Sequence, residues 1–446
     1  MNHNILTIEV GSTITKGNVF CLRPGGVFSH LGQGFTATTV TDGDVGIGVD
    51  RVLDSLQANL GDTLKDPQIF INSSAAGGLR MTVHGLTQSM TARAAREAAL
   101  GAGAIVKLVT VGRLDEYDLD AIRDIQPNII LLAGGVDYGE KSIVLGNANS
   151  LASLDLKIPV IYAGNAVIRK PVQDIFESVG IETRLADNVF PDVDVLNIEP
   201  VRHIIQEAFN QHIVHAPGMT HLGEITDQQI LPTPGAVLRG AELFAEAMGD
   251  CLLFDVGGAT TDVHSVSDGS REWADRMTEP EPRAKRTVEG DLGVYVNAQN
   301  IIEKADVSDF KFRIDDLKAL PKTTREIELT RWLCTRAVET AVRRHAGVIV
   351  DLYTPTGKRQ IVRGKDLSAV QWVIGTGGAL TRIPGGEDIL RSICTGPGKY
   401  LFPRADANIL IDRDYLFSAF GTLAQAYPDE VMNTFREWVE RQVDRS

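Results

Sequence analysis

The sequence predicts an α/β protein of two lobes, in which mixed sheets are flanked by helices. A chain of 446 residues is too long for one compact core. Short apolar runs alternate with stretches of helical spacing through the first half, the pattern of β-α-β units. Glycine-bearing turns follow apolar runs early, near the middle and late in the chain. We place the lobes at residues 1–245, with inserted α/β units, and 246–446.

The chain begins with a predicted hairpin whose tip is rich in hydroxyl groups. Ile5–Glu9 reads as one strand and Gly17–Cys21 as the next. The groups at the tip that suit phosphate oxygens are the amide of Gly11, the hydroxyls of Ser12 and Thr13, and the ammonium of Lys16. The sequence GxxxxGK[ST] is absent, so this is not a Walker loop. A plain polar turn with a solvated lysine is the alternative.

Strands and helices alternate from here to residue 185. Apolar residues between Val45 and Leu60 recur at helical spacing and predict a helix packed on the first sheet. The predicted strands are Ile69–Asn72, Ile105–Val111, Asn128–Leu132, Pro159–Ala163 and Glu182–Leu185, and the predicted helices are Thr91–Leu100, Asp115–Asp124 and Lys170–Val179. This alternation predicts largely parallel sheets that are covered on both faces.

Asp137 lies just beyond the predicted strand Asn128–Leu132. Ligands of such sheets gather outside the carboxyl ends of the strands. We therefore treat Asp137 as a candidate catalytic residue that orients a water or a substrate hydroxyl near a γ-phosphate. Capping of a turn, or simple solvation, is the alternative.

The middle of the chain is punctuated by prolines. Pro217, Pro232 and Pro234 mark a candidate hinge between the lobes. Beyond the central motif described next, residues 267–285 read as an exposed charged connection, and Arg286–Gly293 reads as a glycine-bearing turn. Long helices are predicted at Glu326–His345, Tyr415–Ala426 and Asp429–Val443.

The central motif is Cys251–Val266, CLLFDVGGATTDVHSV. An apolar strand leads into Asp255, after which two glycines allow a tight turn with exposed amides. Carboxylates on both sides of such a loop suit a nucleotide whose phosphates are bridged by magnesium. The candidates are Gly257, Gly258, Thr260 and Thr261 for phosphate, and Asp255 and Asp262 for catalysis or metal organisation. An ordinary glycine-rich hairpin is the alternative.

A third glycine cluster follows the predicted strand Trp372–Ile374. Gly375, Gly377 and Gly378 would let an adenine or a ribose lie against bare backbone. A tight connection between a strand and a helix is the alternative.

Composition restricts the partners and the compartment. The formal net charge of −14 opposes a nucleic-acid surface or an anionic membrane as partner. No signal peptide and no run of about 20 apolar residues is evident, which predicts a cytoplasmic protein. The four widely spaced cysteines predict buried thiols rather than disulfides or a structural zinc site.

The three glycine turns occur in the order of a known superfamily. Glu9–Lys16 resembles the first phosphate motif of the superfamily that joins actin, the DnaK-type chaperones and sugar kinases. Asp255–Asp262 resembles its second phosphate motif, and Gly375–Ala379 its adenosine motif. Stretches similar to the GlmL (MutL) accessory proteins of adenosylcobalamin-dependent glutamate mutase are Ile71–Leu79, Leu131–Gly139, Arg286–Val294 and Gly375–Thr381.

The resemblance implies an actin-like (ribonuclease H-like) ATPase fold whose two lobes close on ATP and Mg²⁺. It implies an ATP-dependent factor that reactivates an adenosylcobalamin-dependent mutase. By the resemblance, Glu9 and Asp255 belong to the metal shell. Glu9 stands where the superfamily usually has aspartate, so its carboxylate reaches about one methylene further. A small-molecule kinase with Asp137 as base, and an actin-like scaffold without turnover, remain as alternatives.

Overall fold

The computed structural model describes residues 4–11, 14–39, 43–60, 64, 66–75, 79–215, 219–305, 311–354 and 357–443. The chain divides into two compact units, Met1–Ala236 and Val237–Ser446. This division and the predicted boundary after residue 245 both fall within one helix, Thr233–Met248.

Strands and helices are numbered here in chain order. The first unit contains β1 (Asn4–Val10), β2 (Ile14–Arg23), β3 (Val27–Ala37), α1 (Gly46–Leu60), β4 (Gln68–Ser73), β5 (Arg80–Gly85), α2 (Arg93–Gly101), β6 (Ile105–Val111), α3 (Glu116–Ile125), β7 (Ile129–Leu132), α4 (Ser142–Ala152), β8 (Val160–Tyr162), α5 (Arg169–Ser178), β9 (Thr183–Leu185), α6 (Glu199–His215), α7 (Thr220–Ile225), β10 (Leu231–Pro232) and the start of α8 (Thr233–Met248). A π-helical turn, Gln88–Ala92, precedes α2.

The second unit begins within α8. It contains β11 (Cys251–Val256), β12 (Thr261–Val266), α9 (Arg271–Ala274), β13 (Ala284–Glu289), α10 (Ala298–Lys304), α11 (Thr324–His345), β14 (Val348–Thr354), β15 (Gly357–Arg363), β16 (Trp372–Thr376), α12 (Gly378–Thr381), α13 (Gly386–Ser392), β17 (Asn408–Ile411), α14 (Phe417–Leu423) and α15 (Pro428–Val443).

Each unit is built on a five-stranded mixed sheet of the same topology. The order is β3-β2-β1-β4-β10 in the first unit and β13-β12-β11-β16-β17 in the second. In each sheet the first three strands form an antiparallel meander, and two parallel strands follow on the other side of the first. This duplicated mixed sheet is the actin-like α/β architecture that the sequence predicts.

A second sheet in the first unit is inserted between β4 and β10. It is parallel throughout, and its order is β6-β5-β7-β8-β9. Connections between parallel strands cross over through helices, and α2 to α5 supply them here. This inserted sheet confirms the predicted run of β-α-β units.

Separate hydrophobic cores hold the two units. In the first unit, Val49, Val52 and Leu56 of α1 are buried against the first sheet, as their spacing predicts. In the second unit, α11 covers one face of the sheet. A cluster of aromatic rings joins α8, α14 and α15; it comprises Phe244, Phe417, Phe420, Phe435 and Trp438.

Two expectations about the second unit hold only in part. The stretch 267–285 is exposed at several positions, including Arg271 and Glu272, but Ser267, Trp273 and Lys285 are buried. The first part of the predicted turn Arg286–Gly293 belongs to β13 and pairs with β12. Charged side chains of both segments form ion pairs within the second unit. The composition of the segments does not reveal these pairs.

The cysteines agree with the prediction of reduced thiols. All four are free, and Cys251, Cys334 and Cys394 are buried. Burial raises the pKa of the Cys394 thiol to about 11, so this thiol is poorly reactive at neutral pH.

Within the described ranges, no helix combines the length and the apolar character that crossing a membrane needs.

Candidate functional site

The second phosphate motif forms the tight turn between β11 and β12. The Gly257 amide donates to the Thr260 carbonyl at 2.9 Å and closes the turn. Asp255 and Asp262 are directly paired across the two strands. Residues directly opposite each other project to the same face of a sheet. The two carboxylates therefore lie on one face, next to the turn.

The carbonyl oxygens of this turn are bound by one neighbouring segment, residues 294–297. The contacts are Val294 N to Gly257 O at 3.1 Å, Tyr295 N and Val296 N to Gly258 O at 2.9 and 2.7 Å, and Asn297 Nδ2 to Ala259 O at 2.7 Å. A trans peptide directs its N–H opposite to its carbonyl. The amides of residues 258–260 therefore point away from this segment. Successive amides of this kind form a concave site for anions, which suits phosphate.

Gly293 allows the 294–297 segment to reach the phosphate turn. A Cβ on Gly293 would lie 2.3 Å from the Ala259 carbonyl carbon and 2.5 Å from Gly258 O. A Cβ on nearby Gly290 would meet no atom within 4 Å. The two glycines thus offer a matched pair of substitutions in one short segment.

We expect Gly293→Ala to displace the 294–297 segment and so release the carbonyls of the phosphate turn. The free energy of unfolding should fall by about 1–3 kcal/mol, the usual cost of overpacking, and ATP affinity should fall by about tenfold. Urea denaturation and calorimetric titration measure the two effects. Gly290→Ala is the control and should leave both unchanged. An unaltered ATP affinity in Gly293→Ala would contradict this account of the turn.

Asp262 is fixed by a buried arginine. Arg286 on β13 contacts Asp262 Oδ1 through Nη2 at 2.6 Å and Nε at 2.8 Å, and its side chain is 4% exposed. The Thr260 hydroxyl contacts the other carboxylate oxygen at 3.3 Å. The Thr261 hydroxyl instead turns inward and donates to the Leu292 carbonyl at 2.7 Å. Of the two predicted threonines, Thr260 therefore has its hydroxyl beside the candidate acid.

The third glycine motif lies directly beside Asp255. Gly377 has a φ of +85°, and a Cβ there would lie 2.5 Å from Val256 O and 2.7 Å from Asp255 Oδ1. Only glycine combines this conformation with such a close approach. Gly378 begins α12, whereas Gly375 lies within β16, where a Cβ would meet Leu390 at 2.9 Å. Gly375 thus serves core packing, and its contact with nucleotide stays a prediction.

Tyr415 is a site residue that the sequence prediction missed. Its φ is +56°, and its hydroxyl would lie 3.0 Å from a Cβ on Gly378. Arg382 stacks on the ring at 5.3 Å from its centroid. Burial raises the pKa of Tyr415, so the phenol is neutral and remains a hydrogen-bond donor. No motif signals this residue, because its position depends on the turn after β17.

Asp412 holds that turn. Its carboxylate is buried and accepts hydrogen bonds from Thr376 Oγ1 at 3.0 Å, Leu416 N at 2.8 Å and Phe417 N at 3.1 Å. Thr376 is paired with Asp255 in the neighbouring strand. Asp412 therefore links the adenosine motif to the backbone around Tyr415.

The first phosphate motif forms the β1–β2 hairpin of the first unit. Glu9 and Lys16 are opposite each other, and their charged groups lie 3.0 Å apart. The Gly11 amide donates to the Ile14 carbonyl at 3.0 Å, and the Thr38 hydroxyl donates to Gly11 O at 2.8 Å. Ser12 and Thr13 lie outside the described residues.

The two units place different charges at topologically equivalent positions. Glu9 of β1 faces Lys16 on β2, whereas Asp255 of β11 faces Asp262 on β12. Lys16 compensates the charge of Glu9, whereas the residue opposite Asp255 is a second acid, Asp262, which is paired with Arg286. Magnesium usually needs one or two carboxylates in addition to phosphate oxygens, and Asp255 fits that requirement. Among the residues that the structure describes, no cluster of three or more His, Cys, Asp or Glu forms a metal site by itself.

Asp137 lies beyond β7, in the inserted sheet rather than in the sheet that carries Glu9 and Lys16. Its Oδ1 accepts hydrogen bonds from Ala166 N at 2.8 Å and from Asn188 Nδ2 at 2.9 Å. These contacts connect three loops of the inserted sheet. The predicted catalytic role of Asp137 stays a prediction.

Comparisons with known proteins support one family. The model of the family described as "MutL protein" matches residues 5–439. "Protein MutL" of Clostridium tetanomorphum is 36% identical over 462 residues, which cover 97% of this chain and 98% of that protein.

Solved structures are similar at low sequence identity. The nucleotide-free acetone carboxylase has a TM-score of 0.41 and 14% identity, covering 95% of this chain and 70% of that one. The nucleotide-free diol dehydratase-reactivating factor has a TM-score of 0.37 and 12% identity, covering 96% and 100%. The activator of 2-hydroxyisocaproyl-CoA dehydratase from Clostridium difficile, with bound ADPNP, has a TM-score of 0.31 and 11% identity, covering 99% and 97%.

Proposed function

This chain belongs to the MutL protein family, and on that premise we propose that it is an ATP-dependent accessory protein that reactivates an adenosylcobalamin-dependent mutase of the glutamate mutase type. The observation that carries the nucleotide part of the proposal is the β11–β12 turn. Its amides face away from the 294–297 segment, and Asp255 and Asp262 lie on one face beside it. The proposed cofactors are ATP and Mg²⁺.

Each group around the turn has a proposed role. The amides of residues 258–260 bind phosphate oxygens, and the backbone at Gly377 and Gly378 borders the adenosine. Asp255 holds the hydrated Mg²⁺, which neutralises phosphate charge when it is bound. Asp262, fixed by Arg286, orients the attacking water.

Reactivation requires that the nucleotide state change the affinity for the mutase. Mutases of this type run radical chemistry, and a damaged cobalamin that stays bound blocks the site. A nucleotide shifts an equilibrium only by its differential affinity for the two states. By linkage, the mutase then changes the affinity for nucleotide by the same factor. We therefore expect ADP and ATP to give different affinities for the mutase.

The direct test is the recovery of an inactivated mutase. Glutamate mutase from the same organism, inactivated by turnover, should regain activity when this protein, ATP, Mg²⁺ and intact adenosylcobalamin are added together. Omission of ATP, or its replacement by ADP, should leave the mutase inactive. Recovery that is the same with and without this protein would refute the proposal.

The contacts of Asp137 bear on the kinase alternative. A kinase would need this carboxylate as a base for a substrate hydroxyl, and its Oδ1 accepts two hydrogen bonds that fasten neighbouring loops. An anchoring role accounts for these contacts. Asp137→Asn keeps an oxygen at this position, so under our proposal reactivation persists. Under the kinase alternative, a phosphorylated acceptor would form with the parent chain and not with this variant.

A further inference from the structure

A group of exposed apolar side chains lies at the carboxyl ends of the inserted sheet's strands, and a second group, Ile105, Val109 and Val111, lies along β6. In a parallel sheet, the loops after each strand emerge at the same edge. Five of the exposed large hydrophobic residues follow these strands, in the loops after β7, β8 and β9 or, for Tyr117, in the first turn of α3 after β6; we call them the carboxyl-edge patch. It comprises Tyr117, Tyr138, Val167, Val193 and Val195.

These loops are fastened to one another by buried polar side chains. Asn165 Oδ1 accepts hydrogen bonds from Tyr138 N at 3.1 Å and Val167 N at 3.0 Å, and its Nδ2 donates to Glu140 O at 3.2 Å. Asp137 N donates to Pro191 O at 2.9 Å, and its carboxylate accepts from Asn188. The patch is therefore preorganised, which lowers the entropic cost of binding.

Tyr138 is held at a positive φ by the hydrogen bonds of its loop. Its φ is +65°, which is uncommon for a bulky residue. Its side chain is 83% exposed, so the ring gains little from burial within this chain. Tyr117 is 85% exposed. Rings this exposed protrude rather than line a cavity, and tyrosine is a residue type enriched at the energetic centres of protein interfaces.

The rim of the patch is acidic. Asp115 and Glu116 at the start of α3, and Asp192 and Asp194 after β9, are exposed and outnumber the exposed basic residues of the same loops, Arg113 and Lys141. Arg169 is a basic residue of this edge, and it is already paired with Asp187 at 2.9 Å. This charge opposes anionic lipid and nucleic acid, and it complements a protein surface with an apolar centre and a basic rim.

We propose that the carboxyl-edge patch is the docking surface for the mutase, whose contact region presents apolar side chains surrounded by lysine and arginine. This inference rests on the proposed function. It places the contact with the mutase on the inserted sheet, which is separate from the sheets that carry the phosphate motifs. It also accounts for the Leu131–Gly139 motif, whose Asp137 fixes the loops and whose Tyr138 supplies the exposed ring.

The test compares two sets of exposed apolar residues. The patch variant combines Tyr117→Ser, Tyr138→Asn and Val193→Ser; asparagine tolerates a positive φ, so the loop keeps its conformation. The control variant combines Leu320→Ser and Tyr353→Ser, which are 69% and 77% exposed in the second unit. Affinity for purified glutamate mutase is measured by biolayer interferometry in ADP and in ATP, and ATP affinity by calorimetry.

We expect the patch variant to bind the mutase about tenfold or more weakly, with unchanged ATP affinity, and the control variant to match the parent chain. Equal mutase affinity in the patch variant, with reactivation retained, would overturn this inference and leave the proposed function standing. Loss of self-association alone, seen by light scattering, would reassign the patch to a second copy of this chain. A parent chain that neither binds nor reactivates the mutase would overturn the proposed function as well.

Discussion

Asp255→Asn will bind ATP about tenfold or more weakly than the parent chain when Mg²⁺ is present, and will bind it almost equally when Mg²⁺ is removed with EDTA. The substitution preserves the shape of the side chain and removes its charge. Hydrogen bonds and ion contacts to charged groups are each worth about 1.5–3 kcal/mol, which corresponds to this loss. Calorimetric titration with and without the metal measures both affinities.

A matched control removes the same charge elsewhere in the second unit. Asp268→Asn alters a carboxylate that is 76% exposed and paired with Arg283, and it should leave both affinities unchanged. A loss in Asp255→Asn that is equally large in EDTA would mean that this carboxylate supports the loop rather than the metal. That result would remove Asp255 from the proposed metal shell and leave it the role of packing against Gly377.

The elements that the sequence predicts well are those set by local patterns. The strand Ile105–Val111 is found with the predicted bounds, and the helix predicted at Glu326–His345 begins two residues earlier, after the cap at Thr323. Both depend on side-chain periodicity and capping within a short window. Strand β5 was not predicted, since its sequence RMTVHG combines an exposed charged residue, Arg80, with two polar residues that the inserted sheet buries, Thr82 and His84.

The glycines of the site were predictable, whereas their supporting side chains were not. Gly257 and Gly377 mark places where the backbone turns sharply or approaches closely, and glycine itself signals that need. Arg286 is separated from Asp262 by 24 residues and lies in a segment that reads as a turn. Only the pairing of β12 with β13 brings the two together. Charge partners of this kind depend on tertiary structure, so local composition does not reveal them.

The charge difference between the two hairpins also required the sheet topology. In sequence, Glu9 and Asp255 look equivalent, since each acid precedes a glycine turn. The register shows that their opposite neighbours are Lys16 and Asp262. Opposite charges therefore face each other in the first hairpin, whereas two acids, one of them paired with Arg286, face each other in the second.

Arg286→Met will lower the free energy of unfolding of the second unit by about 3–5 kcal/mol. Removing one partner of a buried ion pair leaves the other charge uncompensated, which costs more than the pair itself contributes. Both side chains are nearly buried, with 4% and 12% exposure for Arg286 and Asp262. The four tryptophans, Trp273, Trp332, Trp372 and Trp438, all lie in the second unit. Tryptophan fluorescence during urea denaturation therefore reports on this unit alone.

Two further variants distinguish charge from packing in this effect. Arg413→Met breaks an ion pair with Glu387 in which both side chains are about 60% exposed, and it should cost less than about 1 kcal/mol. Adding Asp262→Asn to Arg286→Met removes the orphaned charge and should recover part of the lost stability. If the double variant is no more stable than Arg286→Met, the loss arises from packing of the arginine. If the double variant regains stability but not ATP turnover, then Asp262 is needed as an anion beside the phosphate turn. Arg286 would in that case serve to hold this anion in place.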